Sequence, residues 1–391
     1  MLLLNMAYVN WSSLWKRNQS IFYNAMLFGR IFSRGVYVNR PIFYGKRLNV
    51  SSRLNSMKNN YNSDKHGDNI DILTPHIWPP YVFKFPISNL FIRYYVDIIE
   101  RKFIRNSEYV LWVNNPFDIM NDISLCLSKK AKYVVYDMSD DYEAFDEINA
   151  PDIRKNIIKI LNISDVFIGV NNVVTSKYCH KNKITFNNST NYDNFNNPCL
   201  PKIILDPIIP KSGKNKYIGF IGGFIKGRID EELMLKILNR YCHCQVIVVG
   251  YTNSEDMLKN FSIFKNFIYL ESVRYDNLPV VIKSFDVAIV PHLDNNYTRG
   301  NDLLKVLDYM AVGVPIVATN SSSLTKYKDC LFISNNNDEF IDNIDIALNY
   351  DNYQRICCGK KYARDMSWDR TVPELMNRIF NNNEKQSLDL Y

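Results

Sequence analysis

Short apolar runs alternate with amphipathic segments along the chain, and they do so in two blocks. In the first block the apolar runs predict strands at residues 2–9, 36–39, 70–73, 81–85, 109–113, 133–136 and 166–170. In the second block they predict strands at 217–221, 245–249, 267–270, 287–291, 316–319 and 331–334. Helix-periodic segments lie between most of these strands. Such alternation is typical of parallel sheets covered by helices on both faces, so the pattern predicts two doubly wound α/β domains.

The alternation breaks once, in an asparagine-rich stretch that is followed by four prolines. Because these residues interrupt helices and strands, we place an interdomain linker between about residues 187 and 216. The length of 391 residues also exceeds one ordinary core and fits two domains. The predicted domains are 1–200 and 215–365. A polar stretch at 44–68, rich in Asn and Ser, predicts a long loop within the first domain.

Basic and aromatic residues are concentrated near the N-terminus. The net charge is +7, and no Asp or Glu precedes Asp64, whereas Lys and Arg are interleaved there with Trp, Phe and Tyr. A region of this kind suits an anionic surface, such as a lipid membrane. An ordinary solvated helix face is the alternative interpretation. No recognisable nucleic-acid-binding motif accompanies the charge, so we expect no nucleic acid partner.

Cysteine usage and hydropathy indicate a cytoplasmic protein without a membrane span. The eight cysteines show no repeating spacing, and several fall in apolar runs, which favours reduced thiols over a disulfide framework. No stretch approaches the ~18 to 20 consecutive apolar residues that a transmembrane helix needs. The first nine residues are apolar but lack a basic start, so they predict a strand and not a signal peptide.

A glycine-containing turn follows the first strand of the second block. Gly222 and Gly223 come directly after the apolar run, and Lys226 and Arg228 follow within the same turn. Backbone N–H groups at such a turn, together with the N-terminus of the next helix, can bind a phosphate, and the two cations suit a diphosphate. Glycines that serve only the geometry of a strand-to-helix turn are the alternative.

The stretch 284–320 contains a strand, a polar loop, a short helix and a second strand, and it therefore predicts a βαβ unit. Its helix, expected over 301–311, would begin at the carboxyl edge of the sheet, where such sheets bind ligands. Asn301 is expected at the helix N-terminus, Lys305 one turn further on, and Asp308 on nearly the same face. The lysine suits a phosphate charge, and the carboxylate suits both hydroxyls of a ribose. A solvent-facing Lys and Asp pair of little consequence is the alternative.

Three carboxylates follow a strand in the first block. Asp137, Asp140 and Asp141 come at the end of the run 133–136, at the edge of the sheet that should carry the acceptor. One of them could act as a base toward an acceptor hydroxyl or orient a sugar. A helix cap or a turn is the alternative role. Cys242, His243 and Cys244 are too close together in sequence to hold one tetrahedral ion, so we expect no metal site.

The residues of the βαβ unit also form a recognisable signature. The matching positions are Pro291, Asn301, Leu304, Lys305, Asp308, Tyr309, Met310, Ala311, Gly313 and 315–319. This signature resembles the donor-binding signature of family-4-like glycosyltransferases with the GT-B fold, and more narrowly that of the teichuronic-acid and capsule-type branch. Weaker similarities to this branch occur at Trp11 with Arg17 and Gln19, at 134–145, at 217–230 and at Ser367 with Trp368.

The resemblance implies a GT-B fold with two Rossmann-like doubly wound parallel-sheet domains facing a cleft, and a final helix over 366–391 that crosses back to the N-terminal domain. It implies a glycosyltransferase of cell-surface polysaccharide biosynthesis that needs no metal or cofactor and uses a nucleotide sugar as co-substrate, with a UDP-sugar favoured. The donor would bind at Gly222, Gly223, Lys226, Arg228, Pro291, Asn301, Leu304, Lys305 and Asp308.

The same resemblance implies a saccharide or lipid-linked acceptor, approached at the inner face of the membrane. Arg17 and Gln19 would lie on the acceptor or membrane side. The catalytic candidates are Asp137, Asp140, Asp141 and Lys305.

Two positions depart from the family pattern. Family members usually carry two glutamates eight positions apart, whereas this chain has Gly300 and the shorter Asp308 at those positions. A catalytically inactive GT-B-like subunit for binding or assembly is therefore an alternative. A nicotinamide-dependent dehydrogenase is a more distant alternative, since no G-x-G-x-x-G turn follows the first strand.

Overall fold

The structure is a computed structural model that describes residues 1–12, 14–43, 61–77, 88–145, 150–197, 216–299 and 302–380. These residues form two compact units. Residues 1–187 with 372–380 belong to the first unit, and residues 188–371 belong to the second. The predicted strand at 81–85 lies outside the described residues.

The boundary between the units lies earlier than residue 200, because the segment 188–197 is built into the second unit. Thr190 forms a parallel bridge with Ser367, and the Phe195 ring lies 5.3 Å from the ring of Tyr275. The final helix was predicted to cross back to the first unit from residue 366. The chain returns to that unit at Val372, inside its last described helix.

The described part of the first unit contains nine strands in one sheet. They are β1 (Leu2–Met6), β2 (Arg34–Val38), β3 (Ile42–Phe43), β4 (Tyr61–Lys65), β5 (Ile70–Ile77), β6 (Tyr109–Val113), β7 (Tyr133–Met138), β8 (Val166–Gly169) and β9 (Lys183–Thr185). The sheet order is β3-β5-β2-β1-β6-β7-β8-β9, and all these pairs are parallel. Chain order reverses between β1 and β6, which makes their carboxyl ends a natural ligand-binding edge.

One predicted loop contains a strand. Residues 61–65 form β4, which pairs antiparallel with β5, although the whole polar stretch 44–68 was predicted to be a loop. A polar edge strand shows little apolar periodicity, so the sequence does not predict it. Its backbone hydrogen bonds to β5 hold it in the sheet. Residues 44–60 lie outside the described part.

Five helices cover the described part of this sheet. They are α1 (Arg17–Phe28), α2 (Ser88–Ile98), α3 (Asp118–Leu127), α4 (Ala150–Ile163) and α5 (Asn172–Lys177), with α2 continued by a π-helical turn at Ile99–Ile104. Helix α1 spans 12 residues. It ends at Gly29, whose φ of 66° is left-handed and whose N–H donates to the Met26 carbonyl.

The second unit has a six-stranded, fully parallel sheet in its described part. Its strands are β10 (Tyr217–Ile221), β11 (Gln245–Val249), β12 (Phe267–Leu270), β13 (Val287–Val290), β14 (Ile316–Thr319) and β15 (Phe332–Ser334). The order is β12-β11-β10-β13-β14-β15, so the topological switch point lies between β10 and β13. Central strands of this sheet are buried along their length, which explains why they read as continuous apolar runs.

Nine helices complete the described chain. They are α6 (Tyr192–Asn196), α7 (Glu231–Arg240), α8 (Glu255–Ser262), α9 (Leu278–Lys283), α10 (Asn296–Arg299), α11 (Leu304–Val312), α12 (Asn337–Asn349), α13 (Tyr353–Asp365) and α14 (Trp368–Phe380). Helix α11 begins at Leu304 and not at residue 301, because its backbone bonds start only at Leu303, so Lys305 lies in the first turn.

A buried hydrogen bond joins α11 to the end of β10. The Ile221 N–H donates to the Tyr309 hydroxyl at 2.7 Å, and Tyr309 is fully buried. The bond fixes the rotation and height of α11 relative to the switch point. Side chains in the first turn of α11 are therefore placed by a residue one turn further along the helix.

Replacing Tyr309 by Phe should lower the free energy of unfolding by ~1–3 kcal/mol, because it leaves the buried Ile221 N–H without an acceptor. Urea denaturation measures this change. Tyr350→Phe is the matched control, since Tyr350 is 71% exposed and its hydroxyl is solvated. Equal stability of the two variants would contradict the positioning role of Tyr309.

Candidate functional site

The carboxyl end of β10 is shaped to admit the side chain of Lys305. Gly222 has a φ of 127°, and a Cβ atom there would lie 2.8 Å from Lys305 Nζ. The Gly222 N–H donates to the Val249 carbonyl at 2.8 Å, so it is not open to an anion as the sequence suggested. Gly222 is favoured instead by its φ of 127°, which residues with a side chain rarely adopt, and the missing side chain leaves room for the Lys305 ammonium.

Lys305 places its ammonium group between an aromatic face and an imidazole. Nζ lies 4.1 Å from the centre of the Phe220 ring and 3.4 Å from His292 Nε2. Burial and, to a smaller extent, the nearby charge of Arg228 lower the pKa of Lys305 to about 7. Among the described residues no carboxylate lies within ion-pair distance of Lys305. The surroundings therefore suit a cation whose anionic partner is a ligand.

His292 belongs to this site, although sequence analysis did not single it out. It directly follows Pro291 at the end of β13 and is 8% exposed. Burial, Lys305 and Arg228 together hold the pKa of His292 well below its usual range, so its ring is neutral. Its Nδ1 atom has no hydrogen-bond partner among the described residues. The position directly after the strand-ending proline was the only sequence signal that could have identified it.

Asp308 lies one turn beyond Lys305 but in different surroundings. It is buried, and its Oδ1 accepts a hydrogen bond of 2.6 Å from the Thr190 hydroxyl. Burial raises the pKa of Asp308 to about 7, and the Thr190 hydrogen bond opposes that rise. One carboxylate oxygen of Asp308 is therefore engaged by Thr190, which lies in the segment 188–197 that precedes the second unit's sheet. The predicted contact of Asp308 with a ribose stays a prediction.

The remaining donor candidates lie around the same strand ends. Arg228 is half-buried and close enough to depress the pKa of Lys305, whereas Lys226 is exposed and its N–H donates to Asn253 Oδ1 at 3.0 Å. The Pro291 carbonyl accepts the Asp230 N–H at 2.9 Å.

Two further donor candidates follow the glycine turn and open α11. Gly223 faces Ile225 and Tyr251, and Leu304 is the first residue of α11. Asn301 and Gly300 lie outside the described residues.

In the first unit, Asp137 and Arg17 form a buried ion pair at the carboxyl edge of the sheet. Arg17 Nη2 lies 2.9 Å and Arg17 Nε 3.2 Å from Asp137 Oδ1, and the two side chains are 5% and 0% exposed. The other Asp137 oxygen accepts from Asn114 Nδ2 at 3.0 Å. Both carboxylate oxygens are therefore engaged, and the geometry argues against Asp137 as a base and for a role in holding α1.

Asp141, another of these carboxylates, is also held in an ion pair. Lys177 Nζ lies 2.7 Å from Asp141 Oδ1 and 3.0 Å from its Oδ2. Asp140 is half-buried in the turn after β7, where its carbonyl accepts the Tyr142 N–H at 3.1 Å.

The acceptor-side candidates are buried within the first unit. The Arg17 guanidinium lies 5.2 Å from the centre of the Phe186 ring, so it is not placed to touch a membrane surface. Gln19 is fully buried and donates from Nε2 to the Ser12 carbonyl at 2.9 Å, while its Oε1 has no partner among the described residues. Arg34 is likewise paired with Asp71.

Part of the N-terminal charge stays exposed. Lys16 and Arg30 retain exposed side chains that could meet an anionic surface. Over the described ranges of the chain, none of the helices combines the length and the apolar character needed to cross a membrane.

Comparison with known proteins relates the second unit to sugar transfer. Residues 215–349 match the sequence model of the family described as glycosyl transferases group 1. A Bacillus subtilis protein described as a teichuronic acid biosynthesis glycosyltransferase, TuaH, is 24% identical over 209 residues. That match covers 49% of this chain and 52% of the relative, so the chain spans about half the length of the curated relative.

Solved structures resemble the chain over nearly its whole length. Sucrose-phosphate synthase from Thermosynechococcus elongatus has a TM-score of 0.68 at 10% identity and covers 98% of this chain and 99% of its own. The E. coli trehalose-6-phosphate structure bound with UDP-2-fluoro glucose has a TM-score of 0.67 at 10% identity, covering 96% and 98%. Anabaena HepE in complex with UDP and glucose has a TM-score of 0.65 at 10% identity, and the match covers 100% of this chain and 99% of HepE. The predicted GT-B fold with two Rossmann-like parallel-sheet domains is confirmed.

Asp137→Ala should reduce the free energy of unfolding by ~3–5 kcal/mol, because it leaves the buried Arg17 guanidinium without its counter-ion. Thermal and urea unfolding measure the loss. The matched control is Asp256→Ala, which breaks a largely exposed pair with Lys259 on α8 and should leave the melting temperature nearly unchanged. A variant at Asp137 with normal stability and no activity would restore it as a catalytic candidate.

Proposed function

We propose that the protein is a glycosyltransferase that moves a sugar from a nucleotide-sugar donor to a saccharide or lipid-linked acceptor. The observation that carries the proposal is the ammonium of Lys305, placed against the Gly222 backbone at the switch point with no carboxylate partner among the described residues. A diphosphate would supply the missing negative charge. The match of residues 215–349 to group 1 glycosyltransferases supports the same ligand class.

The diphosphate would be held by three features of one strand edge. Lys305 provides a charge in the first turn of α11, the α11 N-terminus adds its partial positive charge, and Arg228 provides a second cation. As the bond between the sugar and the diphosphate breaks, negative charge grows on the departing diphosphate. The same groups stabilise that charge, and they do so without reorganising.

The acceptor hydroxyl must lose its proton as it attacks the sugar. Our candidates for the base are Asp140 and Asp141, which lie in the turn that follows β7. Within the proposal the enzyme is of the hexosyltransferase type, needs no metal or further cofactor, and favours a UDP-sugar. UDP-2-fluoro glucose bound to the E. coli neighbour and UDP bound to HepE support UDP as the nucleotide of the donor.

We further propose a role in cell-surface polysaccharide synthesis, on the cytoplasmic side and at the inner face of the membrane. The similarity to TuaH supports the pathway class. The exposed Lys16 and Arg30 support an anionic surface as a partner.

A catalytically inactive binding subunit is the second candidate, and one contact favours it. Asp308, which stands where the family has a glutamate for the ribose, already accepts a hydrogen bond from Thr190. Titrating UDP, GDP, dTDP and CDP and then assaying hydrolysis of the matching nucleotide sugars separates the two candidates. Tight nucleotide binding without any turnover would favour the inactive subunit.

Lys305→Met should lower nucleotide-sugar turnover at least ~100-fold, because the variant loses a charge that stabilises the leaving group. Its melting temperature should stay the same or rise, since a buried ammonium with a lowered pKa is replaced by an apolar chain of similar length. Lys259→Met, on the exposed face of α8, is the matched control. Turnover equal to that of the unmodified protein would refute the assigned site.

Affinity for the nucleoside diphosphate should fall as the pH rises through about 7. The free protein binds a proton on Lys305 with a pKa of about 7, and only the ammonium form attracts the diphosphate. Binding therefore raises this pKa, so affinity is flat below pH 7 and declines by up to about tenfold per pH unit above it. His292 stays neutral across this range and adds no second step.

Calorimetric titration in buffers of different ionisation enthalpy measures both affinity and proton uptake. Proton uptake should be largest above pH 7, and the residual affinity of Lys305→Met should not follow this pH dependence. A constant affinity from about pH 6 to about pH 9 would show that Lys305 does not titrate against the ligand.

A further inference from the structure

Beside the Lys305 site, a second candidate binding site lies at the carboxyl ends of β13, β14 and β15. It is a cavity of about 420 Å³, within the range of ~300–1,000 Å³ that is usual for small-molecule sites. Its walls come from three strand ends and from the starts of α7 and α12. The lining residues that matter here are Asp230, His292, Asp294, Arg299, Asn320 and Ser322.

Amide and hydroxyl side chains dominate this cavity, and a hydrogen-bond chain orients them. Asn320 Nδ2 donates to Asn335 Oδ1 at 2.9 Å, and Asn335 donates from its N–H and Nδ2 to Glu339 Oε2 at 2.7 and 3.0 Å. The chain fixes the rotation of the Asn320 amide, so its Oδ1 is a preset acceptor. Preset amides and hydroxyls suit a ligand with several hydroxyl groups.

The charges of the cavity do not suit an anion. Arg299 is held by Asp294 through two contacts of 2.8 Å, which cancel its charge, and Asp230 caps α7 by accepting the Leu233 N–H. The sum of these fixed charges is negative. The cationic groups Lys305 and Arg228 do not line the cavity, although both are close enough to His292 to lower its pKa. A phosphate or carboxylate would therefore prefer the Lys305 side.

His292 joins the two sites, because it contacts Lys305 and also lines the cavity. A protonated Lys305 can only donate, so the neutral ring must accept at Nε2, and the ring proton then lies on Nδ1. That Nδ1 atom is buried and has no partner among the described residues. The described residues leave this donor unused, and a ligand hydroxyl that reached Nδ1 would accept its hydrogen bond.

We infer that this cavity binds the sugar of the nucleotide-sugar donor, as a neutral pyranose whose hydroxyls meet Asn320, Ser322 and His292. The inference rests on the proposed function, because the sugar is attached to the diphosphate that Lys305 binds. It assigns sugar recognition to the ends of β13 and β14. It also disfavours uronic acids, because their carboxylate would face the charge of Asp230 with no unpaired cation in the described lining.

The test compares UDP, UDP-glucose and UDP-glucuronate by calorimetric titration of the full chain; if the nucleotide panel selects another base, that nucleoside diphosphate and its glucose and glucuronate conjugates are used. Asn320→Ala should weaken UDP-glucose binding about tenfold and change UDP binding by less than about twofold. Ser322→Trp, which fills the cavity from an exposed position, should have the same selective effect. In the unmodified protein UDP-glucuronate should bind more weakly than UDP-glucose.

The matched control is Asn260→Ala, an exposed asparagine on α8, which should bind all three ligands normally. If UDP binds and both cavity variants keep full affinity for UDP-glucose, the cavity is not the sugar site and the inference is overturned while the proposed function stands. Preference for UDP-glucuronate would also overturn it. If no nucleoside diphosphate binds the unmodified protein, the proposed function itself fails.

Discussion

The close approach of the Lys305 ammonium to the Gly222 backbone is the constraint on which the rest of the second unit depends. Residue 222, directly after the strand, has a φ of 127° that favours glycine, and the missing side chain lets Nζ approach the backbone. The approach also needs α11 at a fixed height, which the bond from Ile221 N–H to the Tyr309 hydroxyl sets. Phe220 and the neutral His292 surround the Lys305 ammonium and solvate it less well than water does. Among the described residues this cation has no counter-charge. Such a cation is costly to bury and correspondingly responsive to an anionic ligand.

The two units treat their buried charges in opposite ways. Asp137 in the first unit is surrounded by Arg17 and Asn114, so its charge is neutralised and its position is fixed. Among the described residues, the Lys305 ammonium contacts Phe220 and His292, which are uncharged. The first arrangement organises the end of a sheet, whereas the second leaves binding free energy to be realised when a ligand arrives.

On the proposed function, a cationic site at Lys305 and a neutral cavity beside it would give one donor molecule two kinds of recognition. The phosphate side would act through charge, which binds strongly but does not distinguish one sugar from another. The amide-lined side acts through oriented hydrogen bonds, which discriminate because an unmatched buried polar group is costly. His292 belongs to both sides, and its single proton connects them.

The two α/β domains could be predicted from the sequence, because strand and helix periodicity depends on neighbouring residues and the parallel strands here are buried apolar runs. The local signature of 291–319 also placed Lys305 near the start of a helix at the strand edge. The packing of distant segments decided that Asp137 is engaged by Arg17, 120 residues away, and Asp308 by Thr190, 118 residues away. It likewise decided that Gly222 makes room for a lysine and that His292 faces both sites. A side chain's partners come from distant segments that packing brings together, and no local pattern carries that information.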